Sequence, residues 1–385
     1  MAPDPVPALH EARPGKAAPG PFDPGRQRFS PVACGTFPSP GPDNLTGQPG
    51  PANSSAIEEM PMLENKKLPT PVVPHSPSKL TVIGAAGGIG SSTAFHVGLS
   101  GLYDEIVLID TNENVLATHE IDLRECFVGE TRTRVKEGDW EDVAGSEVVV
   151  MCAARSGAQV ESRNEYLLAN LELIRQTANK LNEHAPDCFL IVATAPLDVY
   201  VMIYAEELGR PRHKVMGYCR NDTHRFRWFL GQAIGVDPNR AMGFVIGEHG
   251  EDQVPVWSAV TVDGAPYVLK ESEREEADRL VRDWYTNWQE LNAKRTTTWS
   301  SAVGMYRTLQ ALQGDPRGGP LMGSVVLEGE YGLSGVAVGV PLRPGPDGCS
   351  WERVVELPLK EGERAALAKA ADKIKGLYRE ARDAK

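Results

Sequence analysis

The sequence lacks long apolar runs, basic clusters and paired cysteine motifs, and each absence excludes a class of protein. The 385-residue chain has no apolar run of about 18 residues, the length that a helix needs to cross a membrane. Its formal net charge is −12, and lysine and arginine do not gather in runs, so we expect neither a membrane nor a nucleic acid as partner. None of the six cysteines forms a Cys-x-x-Cys pair, which indicates reduced thiols and a cytoplasmic location.

Residues 1–78 differ in composition from the rest of the chain. They hold 18 of the 30 prolines, many glycines and few aliphatic residues. Such a segment cannot bury enough apolar surface to offset the entropy lost on ordering, so we predict a disordered tail. A start at Met60 or Met62 is a second explanation of the same composition.

From residue 79 onward, apolar segments of strand length alternate with segments of helix length. The predicted strands cover residues 79–84, 105–109, 147–152, 188–193 and 214–217, and the predicted helices cover residues 89–99, 113–127 and 161–184. This alternation is typical of an α/β fold with a parallel sheet and right-handed crossovers. We therefore predict a Rossmann-type domain over residues 79–220.

The rhythm changes in residues 221–385, where helices and shorter strands are mixed. We predict helices over residues 223–234, 272–294 and 297–313 and from 361 onward, with strands over 242–246, 254–262, 324–327 and 335–341. This mixture predicts an α+β domain, which we expect to supply the substrate contacts.

Three glycines follow the first predicted strand, at positions 84, 87 and 90. Residues without a Cβ atom permit a tight turn and a close approach of the backbone to a pyrophosphate. The helix that begins near Gly88 directs its free N–H groups towards that phosphate. Asp110 ends the second strand, where a carboxylate can accept hydrogen bonds from a ribose and would repel a 2′-phosphate. The segment therefore predicts NAD as cofactor rather than NADP.

Further cofactor contacts are expected from the loops after residues 152 and 193. Ligands of parallel sheets bind at the carboxyl ends of the strands, so these loops share one crevice with the glycine turn. The predicted NAD-binding residues are Gly84, Ala85, Gly87, Gly88, Ile89, Gly90, Asp110, Ala153, Ala154 and Thr194.

Four side chains are candidates for chemistry, although each also has a purely structural explanation. These explanations are a structural histidine for His249, a helix cap for Asp222, a surface ion pair for Arg225 and a helix N-terminal arginine without a function for Arg163. His249 lies in a Gly-Glu-His-Gly turn and can exchange a proton with a carbonyl oxygen near neutral pH. Such an acid needs a carboxylate to fix its tautomer, and Asp222 is the candidate. Arg225 shares a helix face with Asp222 and can bind a carboxylate bidentately. Arg163 follows a small polar loop, residues 153–162, which suits a lid that closes over a substrate.

Taken together, these segments resemble the lactate/malate dehydrogenase family from residue 79 to the C-terminal helix. The resemblance rests on Gly-Ala-Ala-Gly-Gly-Ile-Gly at 84–90, Glu-Ser-Arg at 161–163, Asn-Asp-Thr-His-Arg-Phe at 221–226, Gly-Glu-His-Gly-Glu at 247–251, Val-Pro-Val-Trp-Ser at 254–258 and Gly-Glu-Tyr-Gly-Leu-Ser-Gly-Val at 329–336. The glycine turn is more similar to the malate branch, and the stretches around His249 and Tyr331 are more similar to the lactate branch.

The resemblance implies a role for each candidate. His249 would exchange the proton, with Asp222 as its orienting partner. Arg225 would bind the 1-carboxylate of the substrate, and Arg163 would polarise the C2 carbonyl as the loop closes. The resemblance also implies a homodimer or homotetramer, and no metal is needed because arginine and imidazolium supply the electrophilic assistance.

Two positions depart from the family pattern. Six residues before the loop arginine, where lactate enzymes have glutamine and malate enzymes have arginine, this chain has Gly157. Arg155 and Gln159 lie within two positions, and a small shift of the loop would bring either inward. Ala195 stands where the family usually has asparagine. The predicted substrate-binding residues are Arg225, Arg163, Arg155, Gly157, Gln159, Ala195, Thr298 and Trp299.

The sequence thus predicts an NAD-dependent oxidoreductase that interconverts a 2-oxoacid and an L-2-hydroxy acid by hydride transfer. A malate-like acidic substrate is favoured if Arg155 turns inward, a bulkier 2-oxoacid if Gly157 provides space, and pyruvate, as in a lactate dehydrogenase, comes third. The alternative from another class is a non-catalytic dinucleotide-binding sensor or partner module, which only Gly157 and Ala195 favour.

Overall fold

The first half of the described chain is a parallel sheet with helices between its strands. The computed structural model describes residues 78–155, 163–291 and 297–384, so the predicted tail lies outside the described residues apart from Ser78. The elements are β1 (Lys79–Ile83), α1 (Gly88–Leu99), β2 (Glu105–Ile109), α2 (Glu113–Cys126), β3 (Arg134–Glu137), β4 (Val148–Met151), α3 (Arg163–His184), β5 (Phe189–Val192), α4 (Leu197–Leu208) and β6 (Val215–Gly217). The six strands pair in parallel in the order β3-β2-β1-β4-β5-β6.

The second half of the described chain contains four further helices and eight strands. They are α5 (Arg220–Ile234), β7 (Ala241–Met242), β8 (Val245–Gly247), β9 (Gln253–Pro255), β10 (Thr261–Val262), β11 (Ala265–Pro266), α6 (Glu271–Glu290), α7 (Trp299–Leu312), β12 (Leu321–Glu328), β13 (Ser334–Pro344), β14 (Trp351–Val354) and α8 (Glu361–Asp383). Strands β7, β10 and β11 form a small antiparallel sheet of their own.

The other strands of the second half continue the first sheet. Ser324 of β12 lies opposite Gly217 of β6 in an antiparallel pair, and β13, β8 and β9 follow, with β14 paired to β13. The close packing at this junction favours glycine, because a Cβ atom on Gly217 would lie 2.6 Å from Leu197 Cδ1 and 3.0 Å from Ser324 Cβ. The result is an eleven-stranded sheet, and the predicted fold class is confirmed, with a Rossmann-type parallel sheet followed by a mixed second part.

Two predicted strands are each divided in the structure, and those predictions were wrong in detail. Residues 242–246 belong to β7 and β8, and residues 254–262 are interrupted by a short 3₁₀ turn, Trp257–Ala259. In each case one apolar segment serves first one sheet and then the other, so an apolar run alone does not show where the strand ends.

The core is continuous along the large sheet. Every residue of β4 and β5 is buried, as expected for parallel strands that are covered on both faces. At the sheet centre, Val82 of β1 lies between Leu108 of β2 and Val150 of β4. None of the helices in the three described ranges is both long and apolar enough to cross a membrane.

Candidate active site

Two glycines of the turn between β1 and α1, Gly84 and Gly90, are packed too closely for a side chain. Gly84 has a φ of +88°, and a Cβ atom there would lie 2.4 Å from the backbone nitrogen of Ala153. A Cβ atom on Gly90 would lie 2.3 Å from the carbonyl oxygen of Gly84. These contacts bring the start of α1 onto the carboxyl ends of β1 and β4, where dinucleotides bind.

The first turn of α1 leaves its backbone donors available. No side chain caps the helix at Gly87, and Gly87 and Gly88 are exposed while Ile89 is half-buried. Because the first N–H groups of a helix have no partner within it, this end can bind a phosphate. Ala85, in contrast, is buried, and its N–H donates to the carbonyl oxygen of Ile109 at 3.1 Å.

Asp110 is held at the end of β2 by two backbone donors. The N–H groups of Ala86 and Asn112 each donate to one of its carboxylate oxygens at 3.0 Å, and the side chain is half-buried. An oriented carboxylate at this distance along the chain from the turn suits ribose hydroxyls. The glycine turn, the uncapped helix and this acid together fit a dinucleotide.

A hydrogen bond joins the two strand ends that lie between the glycine turn and α4. Thr194 Oγ1 donates to the carbonyl oxygen of Ala153 at 2.8 Å, which joins the ends of β4 and β5. Ala154 and Ala195 are exposed beside these ends. The Ala195–Pro196 peptide bond is cis, and α4 begins directly after it. The crevice therefore continues from the cofactor turn to the first turn of α4.

The turn that carries His249 begins at a position that favours glycine. Gly247 ends β8 with a φ of +89°, which favours a residue without a side chain. The ring of His249 contacts Asp222 through Nδ1 and Oδ2 at 2.6 Å, and its side chain is 27% exposed. Burial alone would lower the pKa of His249, but the carboxylate of Asp222 outweighs it, and the pKa is raised above the ordinary value.

Asp198 is a second carboxylate beside His249, and the sequence analysis missed it. Its Oδ2 accepts the backbone N–H of His249 at 2.8 Å, and its Oδ1 accepts the hydroxyl of Ser324 at 2.5 Å. Burial raises the pKa of Asp198 to about 6, although both hydrogen bonds oppose that shift. An acid inside the apolar segment Leu-Asp-Val-Tyr-Val, directly after a strand end, was the signal that could have revealed it.

Arg225 lies one helical turn after Asp222 on α5. Its Nη1 donates to Asp222 Oδ1 at 3.3 Å, so one carboxylate serves both Arg225 and His249. The Arg225 guanidinium carbon stands 3.6 Å from the ring centroid of Trp284 on α6. Burial lowers the pKa of Arg225, and the charge of Asp222 opposes that shift.

Helix α8 fixes the turn that carries His249. Glu248 is buried and accepts the backbone N–H of Asp252 at 2.9 Å, which closes the turn. Lys373 of α8 donates to Glu248 Oε2 at 3.0 Å and to Asp252 Oδ2 at 2.8 Å, and Lys369 donates to Asp252 Oδ1 at 2.8 Å. The turn therefore has a second support, which the sequence analysis did not foresee.

The described residues include only part of the predicted substrate loop. Gly157 and Gln159 lie outside the described residues, and Arg163 begins α3 with a side chain that also lies outside them. Arg155 is exposed, and its backbone N–H donates to Asn170 Oδ1 at 2.7 Å.

Of the two candidates near the start of α7, one lies beside the cofactor turn and the other is exposed. Thr298 lies at the amino end of α1, where its Oγ1 would be 3.1 Å from a Cβ atom on Gly88. Trp299 begins α7 with a side chain that is 74% exposed. Thr298 thus borders the cofactor turn, and Trp299 faces solvent.

Comparison with known proteins gives matches along both halves of the described chain. Two family models match, the lactate/malate dehydrogenase NAD binding domain over residues 78–217 and the lactate/malate dehydrogenase alpha/beta C-terminal domain over residues 220–383. Malate dehydrogenase of Halobacterium salinarum is 34% identical over 306 residues, which are 79% of this chain and 99% of that protein. L-lactate dehydrogenase of Acetivibrio thermocellus is 30% identical over 309 residues, which are 78% of this chain and 96% of that protein.

A solved structure agrees with this similarity. Lactate dehydrogenase of Cryptosporidium parvum, complexed with lactic acid and β-nicotinamide adenine dinucleotide, is similar with a TM-score of 0.73 and 28% identity. The match covers 81% of this chain and 100% of that chain.

Proposed function

The chain belongs to the lactate/malate dehydrogenase family, and on that basis we propose the part that each site residue takes in its reaction. The protein is an NAD-dependent 2-hydroxyacid dehydrogenase. NAD, when bound, supplies or accepts the hydride. The proposed division of labour assigns the cofactor to residues 79–220, with Gly84, Gly87, Gly90 and Asp110 as its main contacts, and the substrate to residues 221–385.

The 2.6 Å contact between His249 and Asp222 is the observation that carries the proposed proton transfer. With Nδ1 engaged, Nε2 is the ring nitrogen that can give a proton to the oxygen of a 2-oxoacid, or take one from the hydroxyl of the product. Asp222 favours the protonated ring, so the acid form persists to a higher pH than in an isolated histidine. Asp198 holds the backbone of the same residue, which limits where the ring can stand.

The arginines supply the remaining charge. We assign the 1-carboxylate of the substrate to Arg225, whose planar guanidinium suits bidentate binding, and the carbonyl oxygen to Arg163. Both assignments place positive charge where negative charge is bound or develops during reduction.

We propose a malate-like substrate with a second acidic group, and Arg155 as the residue that reads it. Arg155 follows β4 at the carboxyl edge of the sheet, its backbone is fixed by Asn170, and its exposed side chain has no ion-pair partner among the described residues. An exposed arginine at this edge of the sheet suits the binding of a distal carboxylate. A bulkier 2-oxoacid is the second candidate, because exposed Ala195 leaves space where a larger side chain would reduce it.

The test is NADH oxidation by the purified protein with oxaloacetate, pyruvate, a branched 2-oxoacid, 3-phosphonopyruvate and 3-sulfopyruvate. We expect the acidic compounds to react best and Arg155→Gln to raise their KM about tenfold while leaving that of pyruvate unchanged. Arg132→Gln, at an exposed position, is the matched control. A preference for the branched acid, unaffected by R155Q, would favour the bulkier substrate. His249→Gln should abolish reduction of all of them.

We also propose a cytoplasmic homodimer or homotetramer. All five cysteines within the described ranges are free thiols, as is typical of a reducing compartment. Helices α1 and α7 lie side by side and expose Phe95, Leu99, Trp299 and Val303, an apolar surface of the kind that subunit contacts cover. Size-exclusion chromatography with light scattering tests the assembly.

A further inference from the structure

Arg225 is covered on one face by an aromatic side chain that the proposed reaction does not use. Its guanidinium carbon stands 3.6 Å from the ring centroid of Trp284, which projects from α6 onto α5. Trp288, one turn further along α6, stacks on Trp284 with ring centroids 5.5 Å apart and planes inclined at 23°. Two tryptophans therefore lie in series behind a single arginine.

Two restraints act on this guanidinium in different directions. Asp222 accepts one N–H in the plane of the group at 3.3 Å, and Trp284 contacts the face of the plane. Stacking consumes none of the five N–H donors, so the donors that do not face Asp222 stay available for a carboxylate. The ring also keeps water from that face, which strengthens the attraction between the guanidinium and an anion at its edge.

We propose that Trp284 is a positioning residue for Arg225, holding its guanidinium in the plane that binds the 1-carboxylate of the 2-oxoacid, with Trp288 supporting the ring. The inference rests on the proposed role of Arg225. An aliphatic side chain could fill the same volume but offers no π face, so the proposal predicts a requirement for an aromatic ring and not merely for bulk.

The test compares Trp284→Leu and Trp284→Phe with wild type. For each protein, the Kd of oxamate and of hydroxymalonate is measured on the enzyme–NADH complex, together with kcat and KM for the 2-oxoacid that wild type reduces best. We expect W284L to raise the analogue Kd and the KM about tenfold, with kcat within about twofold and the NADH Kd unchanged. W284F should retain part of the affinity, about two- to threefold weaker than wild type, because phenylalanine gives a weaker cation–π contact than tryptophan.

The control is Trp228→Leu on α5, where Trp228 is 48% exposed and stacks on Phe229 instead of an arginine. Analogue binding by W284L that equals wild type, or a loss in W284F as large as that in W284L, would overturn the inference. If W284L does not fold, Trp284→Met, which also lacks a π face, takes its place, and binding equal to wild type again overturns the inference. An equal loss of NADH and analogue binding would indicate a structural role and would also overturn it.

If wild type binds an analogue but reduces no 2-oxoacid, the proposed function fails while the Trp284 comparison still stands. If wild type binds neither analogue, both the proposed function and the inference fail.

Discussion

At the scale of single residues, Asp222 is the charge on which the two cations of the site depend. It is buried, and its two oxygens accept hydrogen bonds from His249 and Arg225. A buried carboxylate is tolerated when such partners compensate it, and each partner is in turn left uncompensated when the carboxylate is removed. In the proposed reaction, this position therefore controls both proton transfer and carboxylate binding.

Replacing Asp222 with asparagine keeps the shape and removes the charge. Burial is the largest single influence on the pKa of His249, and without the charge of Asp222 its lowering effect prevails. Because reduction of a 2-oxoacid requires the protonated ring, the pH above which reduction declines should move downward, and kcat should fall on the order of 10²–10⁴-fold. The pH profile of kcat/KM measures both effects, with Asp237→Asn after α5 as control. An unchanged profile in D222N would contradict the assignment of Asp222.

The raised pKa of Asp198 predicts an effect on the free energy of unfolding rather than on the reaction rate. Its pKa is about 6 in the folded chain, against about 3.9 for an ordinary aspartate. The folded chain thus keeps a proton that the unfolded chain has lost, so this contribution to stability is full below pH 3.9 and is lost as the pH rises through 6.

The variant Asp198→Asn is neutral throughout that range and still offers an oxygen to the backbone of His249. Between pH 5 and pH 7.5, we expect wild type to lose about 1.4 kcal/mol more of its free energy of unfolding than D198N. Urea titrations at the two pH values measure the difference. Equal losses would mean that Asp198 ionises at an ordinary pKa.

At the scale of secondary-structure elements, the sequence predicted those elements whose burial leaves a simple pattern. The strands β1, β2, β4 and β5 are short apolar runs, and each was predicted to within a residue or two. Helix α4 was missed because it is buried on nearly every side, so it has no polar face to reveal a helical period. Strand β3 was missed for the opposite reason, since only Val135 of its four residues is buried.

The site follows the same logic. Asp222 and Arg225 are separated by one helical turn, so their spacing predicted the contact that the structure shows. Contacts between elements that are distant in the sequence have no such spacing pattern. Asp198 and His249 are 51 positions apart in the sequence, and Trp284 and Arg225 lie on two different helices. Only the packing of the fold brings each pair together.

Helix α8 offers a matched pair of lysines for testing its hold on the His249 turn. Lys373 binds Glu248 and Asp252, whereas Lys369, one turn away, is 77% exposed and has Asp252 as its one ion-pair partner within the described ranges. Lys373→Met leaves buried Glu248 without this cation, so we expect Tm to fall by several degrees and kcat severalfold. Lys369→Met should change both only slightly, because an exposed ion pair contributes little. Thermal unfolding measures Tm and steady-state kinetics measure kcat. Equal effects of the two variants would show that α8 does not support the turn through Lys373.

At the scale of the whole molecule, the large sheet joins the two halves of the described chain. Hydrogen bonds between β6 and β12 connect the parallel part of the sheet to its antiparallel part. Helix α4 packs on both β6 and β12. Gly217 and Ser324 form the junction, and Ser324 also donates to Asp198 beneath His249. We therefore expect a disturbance of either half at this junction to reach the turn that carries His249.

A continuous sheet predicts that the two halves unfold together. We expect residues 79–384 to unfold in one calorimetric transition, and NAD to raise its Tm even though the cofactor contacts proposed here lie in the first half. At a free NAD concentration 100 times its Kd, the stabilisation should be about 2.7 kcal/mol for the whole transition. NADP at the same concentration is the control and should stabilise less, because Asp110 would face its 2′-phosphate. Two transitions, of which NAD shifts only that of the first half, would show that the junction between β6 and β12 does not couple the halves. The stability of the turn that carries His249 would then depend on the second half alone.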